Sequence, residues 1–254
     1  MSVPDGTVAI VTGAAVGVGR EVAVALGRRG CRVAVNYSKS KSEAEATVVM
    51  VEAAGGEAFA IRADVAVDSD VIAMVKEVVR RWERVDVLVN NAGITVRAPF
   101  PDLDALTDEV WDRLLDVNIK GAFHCCKAVA RPMRAQGRGS IVNIGTVSAM
   151  RPAGSSLAYC VSKAGLHHMS QCLAIALAPE IRVNTVAPGF IDNTRWNEHV
   201  AGLDDIRRSV LATSPLQRIA APDDVAGAVV FLALDAPVCT GTVTVVDGGR
   251  QLAT

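Results

Sequence analysis

Val8-Ala9-Ile10-Val11-Thr12-Gly13-Ala14-Ala15-Val16-Gly17-Val18-Gly19 passes from a β-branched apolar run into a glycine-rich turn, and a helical pattern follows over residues 20–29. A short run with no polar alternation reads as a strand buried on both faces. Glycines after it permit a tight turn and let backbone N–H groups approach a ligand, and the helix N-terminus that follows favours an anion. A plain glycine turn is the alternative, since the chain has 21 glycines. The strand-before, helix-after setting favours a nucleotide pyrophosphate.

The same alternation continues along the chain. Strands are expected at 32–36, 58–62, 85–89, 140–144, 182–187 and 242–246, and helices at 42–54, 70–81, 108–135, 158–178 and 223–234. Continuous apolar strands alternating with helices, with no composition break across 1–254, predict one α/β domain: a Rossmann-like, doubly wound parallel sheet of about seven strands, helices on both faces. The longest stretch expected to be irregular is 188–214, with a shorter one at 95–106; loops of that length in such a domain are usually functional.

Bulk properties remove several function classes. Half of the 254 residues are hydrophobic, and the net charge of −1 speaks against nucleic acid or an anionic membrane as partner. The paired arginines at 28–29, 80–81 and 207–208 fall on helical segments, where a solvated face is the simpler account. The N-terminus lacks a basic region followed by an apolar stretch, no apolar run approaches bilayer length, and the six cysteines form no Cys-x-x-Cys unit. His167-His168 has no companions at metal-ligand spacing. A cytoplasmic, metal-free protein is expected.

Tyr159 and Lys163 carry the candidate chemistry. Four residues apart on a predicted helix, they share a face. A phenol is a poor proton donor or acceptor at neutral pH, and an ammonium beside it is expected to draw its pKa down toward the working range. Asn118, inside a helical segment, calls for a specific buried partner. Asp64-Val65 closes the third strand, as a turn or capping aspartate or as a contact to an adenine amino group. Asn90-Asn91-Ala92-Gly93 closes the fourth, through turn chemistry or cofactor contact.

Thr12 to Gly19, Asn90 to Gly93, Asn118, Tyr159 with Lys163, Pro188-Gly189 and the tail Val246-Asp247-Gly248-Gly249, in this order, resemble the short-chain dehydrogenase/reductase superfamily, and the resemblance spans essentially the whole chain. Its nearest branch is similar to the 3-oxoacyl-acyl-carrier-protein reductases and glucose dehydrogenases. The resemblance implies hydride transfer between a nicotinamide and a small-molecule carbonyl or secondary alcohol. Tyr159 would be the general acid or base, Lys163 would lower its pKa and bind the ribose hydroxyls, and Asn118 would hold a water of a proton relay. The family's catalytic serine falls on Thr146, with Ser148 two residues on as the alternative hydroxyl. The resemblance further implies cofactor contacts from Gly13, Ala15, Val16, Gly17, Val18, Gly19, Asp64, Val65, Asn91, Ala92, Gly93, Pro188, Gly189, Ile191 and Thr194. It also implies a homotetramer built on the helices at 108–135 and 158–178, and a substrate lid over about 189–214 in which Phe190, Asn193, Trp196, His199 and Val200 lie.

Cofactor choice is read at the end of the second strand. Asn36-Tyr37-Ser38-Lys39-Ser40-Lys41 holds no carboxylate until Glu43, so hydroxyls and lysines suit the 2′-phosphate of NADP better than the free ribose of NAD. Val16, where phosphate-selecting relatives often carry arginine, weighs on the other side. The expected function is NADP(H)-dependent reduction of a ketone; the alternatives are an NAD-dependent alcohol or sugar dehydrogenase and a non-catalytic nucleotide sensor.

Overall fold

The computed structural model describes residues 6–192, 194–197, 200 and 202–253; Asn193 and His199 lie outside the described residues. Seven strands form one parallel sheet in the order β3-β2-β1-β4-β5-β6-β7. They are β1 (Val8–Val11), β2 (Arg32–Tyr37), β3 (Glu57–Arg62), β4 (Val87–Asn90), β5 (Gly139–Ile144), β6 (Ile181–Pro188) and β7 (Val243–Val246). The central strands β1 and β4 are buried throughout, as their unbroken apolar runs require, whereas β3 and β7 at the edges are partly exposed.

Helices cover both faces. On one, α1 (Gly17–Gly27), α2 (Lys41–Ala53) and α8 (Pro222–Val230) pack Val22, Leu26, Val51, Val225 and Val229 onto the sheet. On the other, α3 (Asp68–Trp82) and α5 (Ala122–Ala135) contribute Val71, Met74, Val78, Val129 and Met133, with α6 (Leu157–Ala176) beside them. The chain leaves β1 toward one side of the sheet and returns to β4 on the other. Strand order therefore reverses between β1 and β4, and a crevice opens beyond their carboxyl ends.

Two expectations about the elements need correction. The helix expected over 108–135 is three pieces: α4 (Asp108–Leu115), a π-helical turn (Asp116–Gly121) and α5. The widened turn carries Asn118, and it closes where Gly121 meets Val65, so closely that an added Cβ would lie 2.8 Å from Val65 Cγ2. The stretch 188–214 is also not wholly irregular: a 3₁₀ turn (Arg195–Asn197) and α7 (Leu203–Thr213) lie within it. Val210 is the buried residue of α7, so the apolar periodicity that would reveal this helix is faint. Among the described residues, no helix is long and apolar enough to cross a membrane.

Candidate functional site

The glycine turn after β1 is held from three directions. Gly13 takes φ +60°, open to glycine at little cost, and its N–H donates to Asn36 Oδ1 at 3.2 Å. Asn36 in turn donates to the Ala63 carbonyl at 3.1 Å, so one buried amide ties the turn to the ends of β2 and β3. From the other flank, Asn91 Nδ2 donates to the carbonyls of Thr12 (2.9 Å) and Gly13 (3.0 Å). Gly19 is the close approach that lets α1 sit against this loop: a Cβ there would lie 2.6 Å from the Gly13 carbonyl oxygen and also meet Asn91 Nδ2.

The first turn of α1 has neither a side-chain cap nor an acidic residue, unlike α3, α4, α7 and α8, which each carry carboxylates there. Its free N–H groups and the positive end of its dipole point into the crevice, which suits a pyrophosphate. A dinucleotide fits these residues.

One cavity of about 900 Å³ runs from this turn to α6. Of the residues picked out from sequence, Gly13, Val16, Gly17, Val18, Asn36, Ser38, Asp64, Val65, Asn91, Ala92, Gly93, Thr146, Ser148, Tyr159, Lys163, Pro188, Gly189, Ile191, Thr194 and Trp196 line it. Ala15, Gly19, Tyr37, Lys39 and Asn118 do not line it. Asp64 serves its turn, accepting from Ala66 N at 3.0 Å, while also facing the cavity.

At the far end, α6 begins with Ser156 capping Tyr159 N at 3.2 Å. A buried relay then fixes the helix to the sheet: Asn90 Nδ2 donates to Asn143 Oδ1 at 2.8 Å, and Asn143 Nδ2 to Ser170 Oγ at 2.7 Å. Lys163 Nζ, buried, donates to the Ile144 carbonyl at 2.8 Å. Asn118 is committed as well, accepting from Ile94 N (2.9 Å) and donating to Ile94 O and Ser162 Oγ (both 3.0 Å). Its side chain thus braces the loop after β4 against α6.

The expected electrostatics are reversed in one respect. Burial pushes the Tyr159 phenol above its ordinary value, opposed by a hydrogen bond from the Thr146 hydroxyl, and the neighbouring ammonium does not bring it down. Burial also lowers Lys163 to about 8. Both groups sit in surroundings dry enough that the cost of a buried charge exceeds their mutual help. At neutral pH the phenol keeps its proton.

Thr146 is the hydroxyl set against Tyr159; its Oγ1 accepts from Ser148 N at 3.2 Å, leaving its own proton to donate. Ser148 Oγ instead faces Gly154, where an added Cβ would lie 2.9 Å away. Two residues to which the sequence assigned no role at this site complete the arrangement. His167 Nε2 accepts from Thr146 N at 3.3 Å, and its ring covers Gly145, a Cβ on which would lie 2.7 Å from His167 Cδ2. Burial first, then the charge of Lys163, lowers this imidazole to about 4, so it is neutral with the proton on Nδ1. Arg195, on the 3₁₀ turn, reaches back to Ser40 Oγ (3.2 Å) and Glu43 beside the end of β2. The next residue, Trp196, packs edge-on against Tyr159 at 5.7 Å.

Comparison with known proteins agrees with this geometry. Residues 13–251 match the family profile described as Enoyl-(Acyl carrier protein) reductase. The chain is 41% identical over 249 residues to the candidate ketoacyl reductase 2 of the granaticin polyketide synthase of Streptomyces violaceoruber, covering 98% of each chain. It is likewise 41% identical over 246 residues to the 3-oxoacyl-[acyl-carrier-protein] reductase of Staphylococcus epidermidis, covering 96% of this chain and 98% of that one. A gluconate 5-dehydrogenase from Burkholderia cenocepacia, solved with NADP and tartrate, superposes with a TM-score of 0.90 at 30% identity, over 98% of this chain and 97% of the other. With the sheet order, the glycine turn and the Tyr159–Lys163 pair in place, the chain belongs to the short-chain dehydrogenase/reductase superfamily, oxidoreductases acting on CH–OH groups.

Proposed function

We propose that the protein reduces a ketone with NADPH, Tyr159 acting as general acid. The observation that carries this reading is the Tyr159 phenol, buried with the Thr146 hydroxyl beside it, in the same cavity as an uncapped helix N-terminus. A bound nicotinamide supplies the hydride. Tyr159 then gives its proton to the substrate oxygen, and Thr146 donates a hydrogen bond where negative charge develops. Lys163, charged at neutral pH, orients the ribose and favours the phenolate that remains. Asn118 positions the loop at Ile94 and the helix carrying Tyr159.

Preference for NADPH is supported by the absence of a carboxylate at the end of β2, by Ser38 at the cavity wall and by Arg195 across Ser40. Arg195 also neutralises Glu43, holding that carboxyl down to about 2. The NADP complex of the gluconate 5-dehydrogenase and the reductase names of the relatives point the same way. We read the segment 189–214 as the substrate lid, and α5 and α6 as the surface of a homotetramer, on which Phe123, Val161 and Ile175 are exposed. Initial rates with a panel of ketones and alcohols, run with NADPH and NADH in parallel, test the assignment. Dominant NADH use, or oxidation of alcohols with no measurable reduction of ketones, would refute it.

A further inference from the structure

Three arginines line the cavity on the Tyr159 side of the sheet: Arg97 after β4, Arg151 after β5 and Arg250 after β7. The nucleotide half of the crevice lies over β1, β2 and β3, so none of the three is placed to meet the 2′-phosphate end of a dinucleotide. Each guanidinium is oriented by a neutral protein group. Arg97 donates to the Trp196 carbonyl, Arg151 to the Arg250 carbonyl at 3.0 Å, and Arg250 Nε to Thr213 Oγ1 at 3.1 Å. Among the described residues none of them has a carboxylate partner.

That sets them apart from the other arginines of the same wall. Arg113 pairs with Asp64 and Arg195 with Glu43. Lys163, also without a carboxylate partner among the described residues, is held on the Ile144 carbonyl beside Tyr159. The carboxylate nearest Arg250 in sequence, Asp247, is buried, and its two oxygens are taken by Gly249 N (2.8 Å) and Gln251 N (2.7 Å). The reacting end of the cavity therefore gathers three guanidinium groups that have no carboxylate partner among the described residues, beside Lys163, in a chain whose net charge is −1. Like charges around one concavity repel each other, and the concavity focuses their field onto whatever enters. Guanidinium groups prearranged in this way fit the planar oxygens of a carboxylate or the oxygens of a phosphate.

We propose that Arg97, Arg151 and Arg250 form a subsite for an anionic oxygen group, carboxylate or phosphate, carried by the ketone substrate itself. The proposal rests on the ketone-reductase reading and deepens it: the substrate is an anionic ketone, held by its charge with the carbonyl directed at Tyr159.

Two matched pairs of substrates test it. The first sets a series of straight-chain keto acids, the carboxylate progressively farther from the ketone, against their methyl esters. The second sets the acetoacetyl thioester of phosphopantetheine against that of pantetheine, which lacks only the phosphate. The expected result is kcat/KM at least about tenfold higher for the anionic member of one pair, shrinking as ionic strength rises. The first pair identifies a carboxylate, the second a phosphate. Arg97→Gln, Arg151→Gln and Arg250→Gln should each collapse the anion-to-neutral ratio, mainly through KM. Since that ratio compares two substrates on one protein sample, a variant that folds poorly lowers both members alike. Turnover with no charge preference, or a preference that survives all three substitutions, overturns the subsite alone. No turnover of any member with either nucleotide overturns the reductase reading, and the subsite with it.

Discussion

The two ends of the cavity are built on opposite principles. At the nucleotide end the working groups are backbone N–H groups of the Gly13–Gly19 turn, and the side chains around them, Asn36 and Asn91, are spent holding that backbone in shape. At the reaction end the working groups are side chains: Tyr159 and Lys163, dried by burial until each prefers its neutral form more than it would in water, and the Thr146 hydroxyl beside Tyr159. A backbone site tolerates no added atom but is indifferent to pH; a side-chain site tolerates small changes of shape but depends on every proton. Substitutions at the two ends should therefore fail in different ways.

The largest effect belongs to the reaction end. Tyr159→Phe keeps the ring that packs on Trp196 and removes the proton, so kcat should fall by about 10²–10⁴-fold while NADPH affinity, read by fluorescence titration, stays within a few-fold of the parent. Retained turnover would remove the phenol from the chemistry. Comparable loss of nucleotide affinity would mean that the two ends are not separate.

His167 tests the same end through pH. Its folded pKa is about 4, below the 6.5 of the free side chain, so between these values the unfolded chain binds more protons than the folded one. The stability owed to the neutral imidazole is whole above pH 6.5 and drains away as pH falls toward 4, to a limit of about 3 kcal/mol. His167→Gln should flatten that part of the stability-versus-pH curve relative to the parent. Because Thr146 N then loses its acceptor geometry, kcat should also fall more than KM rises. An unchanged pH slope would place the titrating group elsewhere.

These cases show what could be read before the fold was known. The glycine turn, the continuous strands and the i, i+4 pair on α6 are local patterns, and local patterns survive in sequence. The direction of the Tyr159 shift was not legible, because spacing reveals an ammonium one turn away but not the water excluded around it. His167, Arg195 and the three cavity arginines act across separations of 21 to about 155 residues, where no periodicity points. The π turn at Asp116–Gly121 and the short α7 were hidden for the opposite reason. The π turn departs from the helical pattern by too little to interrupt it, and α7, with Val210 as its buried residue, carries too little apolar periodicity to show one.

At the nucleotide end the predicted failure is steric. Gly19→Ala sets a methyl against the Gly13 carbonyl and Asn91, neither of which can rotate away, and should cost about 1–3 kcal/mol of stability together with most of the affinity for both NADPH and NADH. The loss should be the same at pH 6 and pH 9, since no titrating group is involved. A pH-dependent loss would break the contrast between the two ends.

The smallest effect is expected where the ends are joined. The 3₁₀ turn Arg195–Asn197 places Arg195 on Ser40 and Glu43 at the nucleotide end and, one residue later, Trp196 on Tyr159. Arg195→Gln leaves the Glu43 carboxylate without its partner, beside the position proposed for a 2′-phosphate, and should weaken NADPH a few-fold while sparing NADH. Glu43→Gln removes the repulsion and frees the guanidinium, so it should shift the same ratio the other way. Both shifts should shrink with added salt, because the pair is partly exposed. If Arg195→Gln weakens the two nucleotides equally, the clasp serves the lid and not the phosphate, and the selectivity for NADPH must be sought at Ser38 and the lysines that follow it.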